Sequence, residues 1–336
     1  MRQRVKIMRK FLVCMVTLLA MSMASVYADN QSAMLQQGDS ITLFYGKNAL
    51  TDAYTAAADS GAVITLSKGV FGNLTIEKPI SIIGYYGFSS SQQKGSVISQ
   101  LTVKANNVSI DGLYIKELGL DAIHNCRVTH SWVNAFLDNP QWNTYTVFDQ
   151  CVIEQCRFAL QRSTDMVIKN STIYTNCFAN GKNSNMAYIL NCVIYVPGHA
   201  NEADSYNYCI EPLPYAIYKN NVIHFDGSYS STTLSQNDYS RFFNNTWAVV
   251  EGHISLGETC IVEENIVGAA SDILPEATYP AYPTNPGVGS DGTPRGPLGG
   301  SGFTDHPSIP RITSREIGVN PDAEGKLNVK ITVSAE

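Results

Sequence analysis

Between Val108 and Val267 the apolar positions fall into short runs, and consecutive runs are separated by two small or polar residues. The separating pairs are Asp111-Gly112, Asn125-Cys126, Gln150-Cys151, Asn170-Ser171, Asn191-Cys192, Asn220-Asn221, Asn244-Asn245 and Glu264-Asn265. Three positions before the second member of a pair stand Ile123, Phe148, Ile168, Ile189, Tyr218, Phe242 and Val262, with only Ser109 off pattern. Two positions after it stand Tyr114, Val128, Ile153, Ile173, Ile194, Ile223, Trp247 and Val267. The unit reads strand, corner, strand. Its copies follow one another at 14, 25, 20, 21, 29, 24 and 20 residues, a solenoid period carrying insertions.

Upstream, VITLSKGVF, NLTIEKPISIIG and SVISQLTVKANNVSIDG alternate with period two between Gly, Pro and Asn corners, so the array begins near Val63. About nine or ten coils between Ala62 and Ala269, stacked at ~4.8 Å, make a rod about 45 Å long. Parallel coils bury one face of every strand, and the apolar columns above are the inward positions. Asn and Asp at the corners tolerate a left-handed backbone and bond to neighbouring peptide groups when stacked.

The ends differ from the array. Residues 29–40 form a polar lead-in, and Leu50, Ala53, Tyr54 and Ala57 then repeat at helical spacing before Gly61, which predicts a capping helix over the open end. Residues 269–305 are dense in Pro, Gly and Tyr and read as an extended tail lying on the rod, since proline is excluded from ladder pairing. RITSREIGV and GKLNVKITV alternate and predict a terminal strand pair. The division is therefore 1–28, 29–61, 62–269 and 270–336.

Residues 1–28 combine a basic start (MRQRVKIMRK), an apolar stretch (FLVCMVTLLAMSMA) and Val26-Tyr27-Ala28, the pattern of a secretory signal peptide. The expectation is an extracytoplasmic protein, whether periplasmic, on the cell surface or secreted, with no transmembrane segment after signal removal. Five of the 23 basic residues and none of the 29 acidic ones lie in that segment, which leaves 18 against 29 and a net charge of −11. Such a surface excludes nucleic acid as a partner, and repels an acidic glycan unless a cation or a basic patch intervenes. Seven cysteines remain, an odd number that argues against a disulfide framework. Cys126, Cys151 and Cys192 occupy the corner position that Ser171, Asn221 and Asn245 fill elsewhere, where they act as small buried residues.

The run from Ala49 through SGAVITLSKGVF and LTIEKPISIIGYYG, followed by the repeated corner units, resembles the right-handed parallel β-helix proteins of the pectate lyase-like superfamily over roughly residues 48–268. The fold class this implies is all-β. The superfamily includes lyases, hydrolases, esterases, phage tailspikes and adhesins, so the resemblance speaks for fold and little for activity. The Asp-Gly-Thr, Gly-Gly and GKLNVKI ending resembles the C-terminal segment of exported β-helix proteins of Bacteroidetes, which implies the same extracytoplasmic address.

Candidate chemistry follows from the outward columns. The residue three after the corner reads Thr129, Glu154, Tyr174, Tyr195, His224 and Ala248; the residue two before it reads His124, Asp149, Lys169, Leu190, Lys219, Phe243 and Glu263. Glu154, Tyr174, Tyr195 and His224, with Trp142 from a neighbouring insertion, are the candidate substrate-binding residues, because aromatic rings with polar tips suit sugars. Half-exposed tyrosines are equally ordinary on a sheet surface. Insertions at 131–146, 197–208 and 226–239 are the candidate binding loops. A β-elimination lyase needs a Lys or Arg base and something, often Ca2+, to neutralise the uronate. Arg157, Arg162 and Lys169 are candidates for the first role, and Asp149, Glu202 and Asp204 for the metal, although solvated charges explain them as well. Polygalacturonase-type hydrolysis is disfavoured: there is no Asp-Asp, and the Gly-His pairs precede Ala200 and Ile254. Glu202 and Glu211 could serve glycoside hydrolysis, but no spacing selects them. The reading is a β-helix that recognises a polysaccharide along its side, with a polysaccharide lyase and a structural or adhesive surface protein as alternatives.

Overall fold

The computed structural model describes residues 31–85, 88, 95–137, 143–154, 163–174, 187–196, 215–225, 232–234, 239–248, 254–256, 258–268, 273, 282–304, 311–317 and 329–334. Two long sheets, parallel but for the first two pairings of one, run the length of a right-handed β-solenoid, one of twelve strands and one of eleven. In the first, Val63–Leu66, Ser81–Ile83, Ser109–Asp111, Arg127–Thr129 and Val147–Asp149 lead on through the later coils to Ile261–Glu263. The second runs from Gly69–Phe71 to Ile266–Gly268. Complete coils are fewer than the nine or ten expected. Among the described residues the third side carries strand in the early coils, where Leu74–Ile76 pairs with Leu101–Val103 and these with Leu118–Leu120, and later as Asn143–Thr144 with Ser163–Thr164 and Thr232–Leu234 with Ile254–Leu256.

The core is the pair of inward columns. Ile64, Ile82, Ile110, Val128, Phe148, Ile168, Ile189, Tyr218 and Phe242 stand in one register line on the first sheet and are 1 % exposed or less. Ile115, Val133, Ile153, Ile173, Ile194 and Ile223, all fully buried, form the matching line on the second with Trp247, 3 % exposed. Like side chains stack at each rung, and the Tyr218 and Phe242 rings lie 4.6 Å apart and 5° from parallel.

This register corrects the reading of the first two units. Thr129 pairs with both Asp111 and Asp149, so the corners equivalent to Gln150-Cys151 are Gly112-Leu113 and His130-Ser131. Asn125-Cys126 belongs to the other corner of the coil, in line with Asn107 and Tyr145. Several assignments change with it, Val128 among them, which moves from the second inward column to the first in place of Ile123. Ile110 replaces the off-pattern Ser109, Tyr114 points outward beside Trp132 (5.7 Å between rings), and Thr129 moves to the column of Asp149. The irregular spacings of 14 and 25 become 18 and 20.

From Ser109–Asp111 onward, the residue at the corner after each first-sheet strand, Gly112, His130, Gln150, Asn170, Asn191, Asn220, Asn244 and Glu264, adopts positive φ, from 44° to 67°. The next residue turns its side chain inward and forms a ladder. Asn245 Oδ1 accepts from the Asn221 backbone N–H (2.9 Å), Asn265 Oδ1 accepts from that of Asn245 (2.8 Å), and Asn221 Oδ1 accepts from that of Cys192 (2.8 Å). The amides of Asn221, Asn245 and Asn265 in turn donate to the carbonyls of Ile189, Tyr218 and Phe242. Cys151 and Cys192 use their thiols the same way, toward Val128 and Ile168. Burial pushes the thiols of Cys126 and Cys192 up to about 12, and that of Cys151 higher still. Cys126, Cys151, Cys192 and Cys260 carry thiols and form no disulfide.

At the N-terminal end the expected helix is present as α1 (Ala49–Ala56), burying Ala49, Leu50 and Ala53. The lead-in is more than a loop. Ser32–Gln37 and Ser40–Tyr45 form an antiparallel pair, and Ser32–Gln37 also pairs antiparallel with Val63–Leu66, so the parallel array starts against a reversed strand. Residues 282–304 lie along the corner after the first sheet, in the direction opposite to the growth of the rod. Arg295, 6 % exposed, donates to the carbonyls of Asn245 and Val288 (3.0 Å each), to Thr246 Oγ1 (3.0 Å) and to Asn244 Oδ1. Asn170 Nδ2 donates to Pro297 O at 3.1 Å, and Gln150 Oε1 accepts from the Thr304 N–H at 2.7 Å. A side chain at Gly299 would collide with the Pro294 carbonyl and the Asn191 amide, so the close approach there needs glycine. Arg311–Ile317 and Val329–Ser334 form the expected antiparallel pair.

Candidate functional site

Glu154, Tyr174, Tyr195 and His224 do share one outward line on the second sheet. Ile153 pairs with Ile173, Tyr174 with Tyr195 and Tyr195 with His224. The three rings form a continuous stack, with centroids 4.7 Å apart at both steps and planes within 10°. Each inner face is therefore taken by the neighbouring ring. His224 is only 7 % exposed, and Tyr195 packs against Val193, Val222, Ala248 and Ile273. Glu154 is half-buried. Burial raises its carboxyl above the usual range, and a hydrogen bond from Trp132 works against that rise. Sugar rings stack on ring faces, so this line has little to offer them beyond edges and polar tips.

Of the other candidates, Trp142, Arg157, Arg162, Glu202, Glu211 and Asp204 lie outside the described residues, as do residues 197–208. Trp132, expected in the 131–146 insertion, is buried in the second-sheet strand Trp132–Phe136. Lys169 Nζ and Arg127 Nη2 both bond Asp149 Oδ2, at 3.0 and 3.1 Å. Asp149 thus carries two cations already, a poor start for a metal ligand. Among the described residues no group of three or more His, Cys, Asp or Glu is placed to hold a metal ion.

The stronger constellation is on the outward face of the first sheet. An open depression of about 520 Å³ lies over the strands Val63–Leu66, Ser81–Ile83, Ser109–Asp111 and Arg127–Thr129. Val63 and Ile83 supply apolar floor; Ser81, Ser109, Thr129, Gln150 and Thr304 supply hydroxyl and amide groups; Asp111, Arg127 and His130 supply charge and acid–base capacity. Thr304 brings the end of the tail to its edge.

Asp111 and His130 are the chemical centre of this depression. Both are more than nine-tenths buried, and Asp111 Oδ1 meets His130 Nδ1 at 2.6 Å and accepts from Thr129 Oγ1 at 2.9 Å. A carboxylate on Nδ1 selects the tautomer with the proton there, which leaves Nε2 with its lone pair. Nε2 has no hydrogen-bond partner among the described residues. The next rung holds Asp149 between Arg127 and Lys169, so this face alternates acid, base and hydroxyl along the axis. No sequence pattern singled out Asp111, Arg127 or His130. The available signal was the regular 18- and 20-residue spacing, which requires a corner at His130.

Comparison with protein-family models, with curated proteins and with solved structures finds no match to this chain. The resemblance to the pectate lyase-like superfamily accordingly stands at the level of the parallel β-solenoid alone. Among the described residues no helix is long and apolar enough to cross a membrane.

Proposed function

We propose that this protein recognises a polysaccharide laid along its side, over the outward face of the first sheet, in an extracytoplasmic setting. The observation that carries the reading is the depression over that sheet, where Arg127, Thr129, His130 and Gln150 converge above apolar Val63 and Ile83. Sugars ask for this mixture of hydroxyl-bonding groups around a small apolar floor. Arg127 keeps its side chain 56 % exposed while its Nη2 bonds Asp149 Oδ2, so it is a cation that an acidic glycan can reach, which weakens the objection to such glycans at this one place. Affinity electrophoresis in gels containing polygalacturonate or xylan tests it: the wild type is retarded and Arg127→Ala loses about tenfold in affinity. Unretarded wild type in both gels, and in a wider glycan panel, would sink the reading.

A second reading, a lyase in the same groove, is favoured by the Asp111–His130 pair. Lys169 lies on the next rung against Asp149, whereas His130 Nε2 and Arg127 both line the depression, so His130 is the better placed proton acceptor and Arg127, although its Nη2 also bonds Asp149, is the cation that can meet a uronate carboxylate. In such a β-elimination the C5 proton passes to His130 Nε2, the electron pair of the C5–H bond forms the C4–C5 double bond, and the C4–O bond breaks with the leaving oxygen taking a proton from water. Appearance of ultraviolet-absorbing unsaturated uronide, lost in His130→Gln, with and without added Ca2+, distinguishes this from binding alone.

A further inference from the structure

At six of the corners that precede first-sheet strands the backbone is left-handed, a demand that Asn and Asp meet at three of them and tyrosine does not at the other three. Asn107, Asn125, Tyr145, Asp165, Tyr215 and Tyr239 all sit there with φ between 51° and 65°. Asn and Asp are the residues that tolerate this region, whereas a bulky side chain is strained in it. The three tyrosines are also among the most exposed large side chains, at 53, 52 and 56 %. They cost stability through strain and leave their apolar area in water, so burial does not account for them. Strained residues that persist in the open are retained for contacts outside the chain.

Their position shows what such a contact would meet. Tyr215 and Tyr239 stand on adjacent rungs as a stacked pair, with centroids 5.2 Å apart and planes 11° from parallel. The next corner carries Thr259, whose hydroxyl accepts from the Tyr239 N–H at 3.3 Å and whose side chain is too small to cover a ring. Among the described residues one face of Tyr239, 56 % exposed, is thus left for a ligand. Beside it on the sheet lie Arg241, exposed, and Phe243, with Lys219 Nζ 5.5 Å from the Phe243 centroid. The tail lies along the opposite edge of this sheet, at Asn220 and Asn244, so the outward face is bounded by the tail on one side and the tyrosines on the other.

The geometry points to a second saccharide-binding stretch, with a pyranose ring stacked on Tyr239, the Tyr215 and Tyr239 hydroxyls bonding the same glycan chain, and Arg241 beside it. It rests on the polysaccharide reading above and extends it along the rod, several coils beyond the depression at His130. The test is the pair of single variants and the double variant Tyr215→Asn/Tyr239→Asn, each measured for melting and for retardation by polygalacturonate and xylan. Asparagine suits the backbone, so the double variant melts about 2 °C higher while binding about tenfold more weakly. Wild type retained in the gels and the double variant retained equally would overturn the second stretch while leaving the depression at His130 intact. A double variant that melts lower than wild type would overturn the strain argument. Wild type bound by neither polysaccharide, nor by a wider panel, would take down the reading and this extension together.

Discussion

Replacing Asn245 with leucine tests whether the inward corner ladder, more than side-chain packing, holds adjacent rungs together. Asn245 is fully buried. Its Oδ1 accepts from the backbone N–H of Asn221 at 2.9 Å and from Asn221 Nδ2 at 3.0 Å, and its Nδ2 donates to Tyr218 O and Asn265 Oδ1, both at 2.9 Å. Leucine keeps the same branched arrangement of four side-chain heavy atoms, with larger methyl ends, and adds apolar burial, so the loss falls mainly on the polar groups. Asn221 keeps its bond to Ile189 O, and Asn265 Oδ1 keeps the Asn245 backbone N–H, which spares those two groups. The Asn221 backbone N–H loses its partner and the Tyr218 carbonyl loses a donor. At ~1–3 kcal/mol per buried polar group so deprived, less ~1 kcal/mol of extra apolar burial, the net cost is about 3 kcal/mol. For a chain of this size the unfolding entropy is about 0.6 kcal/mol per degree, so Tm falls by about 5 °C. Asn73→Ala, which removes only the exposed bond to Gln100 and sits outside the left-handed backbone region, is the control and moves Tm by less than 1 °C. Thermal melts by circular dichroism decide it. An Asn245→Leu protein melting within a degree of wild type would mean that stacking of the inward columns alone sets the register.

Ile173→Asp or Ile194→Asp removes soluble expression, because each side chain is fully buried among aliphatic neighbours and a carboxylate there has no partner; recovery of folded protein would refute the column assignment. The thiols of Cys126, Cys151 and Cys192 stay protonated in the folded state far above the pH at which an unfolded cysteine ionises. Stability is therefore unaffected below about pH 8.5 and declines as pH rises beyond it, as urea titrations across pH 7 to 10 will register. The same three thiols resist alkylation until the protein unfolds, and reducing agent leaves Tm in place. Arg295→Met frees residues 282–304 to proteolysis while the rod keeps its melting transition; an uncut tail would show that its other contacts suffice.

Much of the fold was legible because a parallel solenoid repeats its demands. Each rung needs an aliphatic or aromatic residue at Ile168, Ile189 and Tyr218, and a residue tolerant of positive φ at Asn170, Asn191 and Asn220, so the period surfaces in the sequence. The reading slipped where two corners ask for the same thing. Asn125 satisfies a left-handed backbone as well as Asn170 does, and residue type alone does not say which corner it turns; His130 is an unusual choice for the corner it holds. That slip hid the Asp111–His130 contact, since the two residues were assigned to different positions of the coil. The line of Glu154, Tyr174, Tyr195 and His224 was foreseen from register. What register does not reveal is that Ile273, near the start of the 269–305 tail, packs onto that face and that the rings stack on one another.

The backward course of the tail has a consequence for how the chain is made. Thr304 meets Gln150 across 154 positions of sequence, and between them Arg295, Gly296 and Pro297 engage the rungs of Asn244, Asn220 and Asn170 in turn. None of those docking points exists until the coils from Gln150 to Glu264 have formed in order. A chain synthesised from its N-terminus can add rung upon rung with nothing but its nearest neighbour for a template. The tail comes last, and it fits only if every corner beneath it has landed at the right height. Insertions that leave the corners in place do not disturb it, whereas a skipped or doubled rung would leave Arg295 without its acceptors. The tail thus inspects the register of the finished rod, and loop length can drift freely under that inspection.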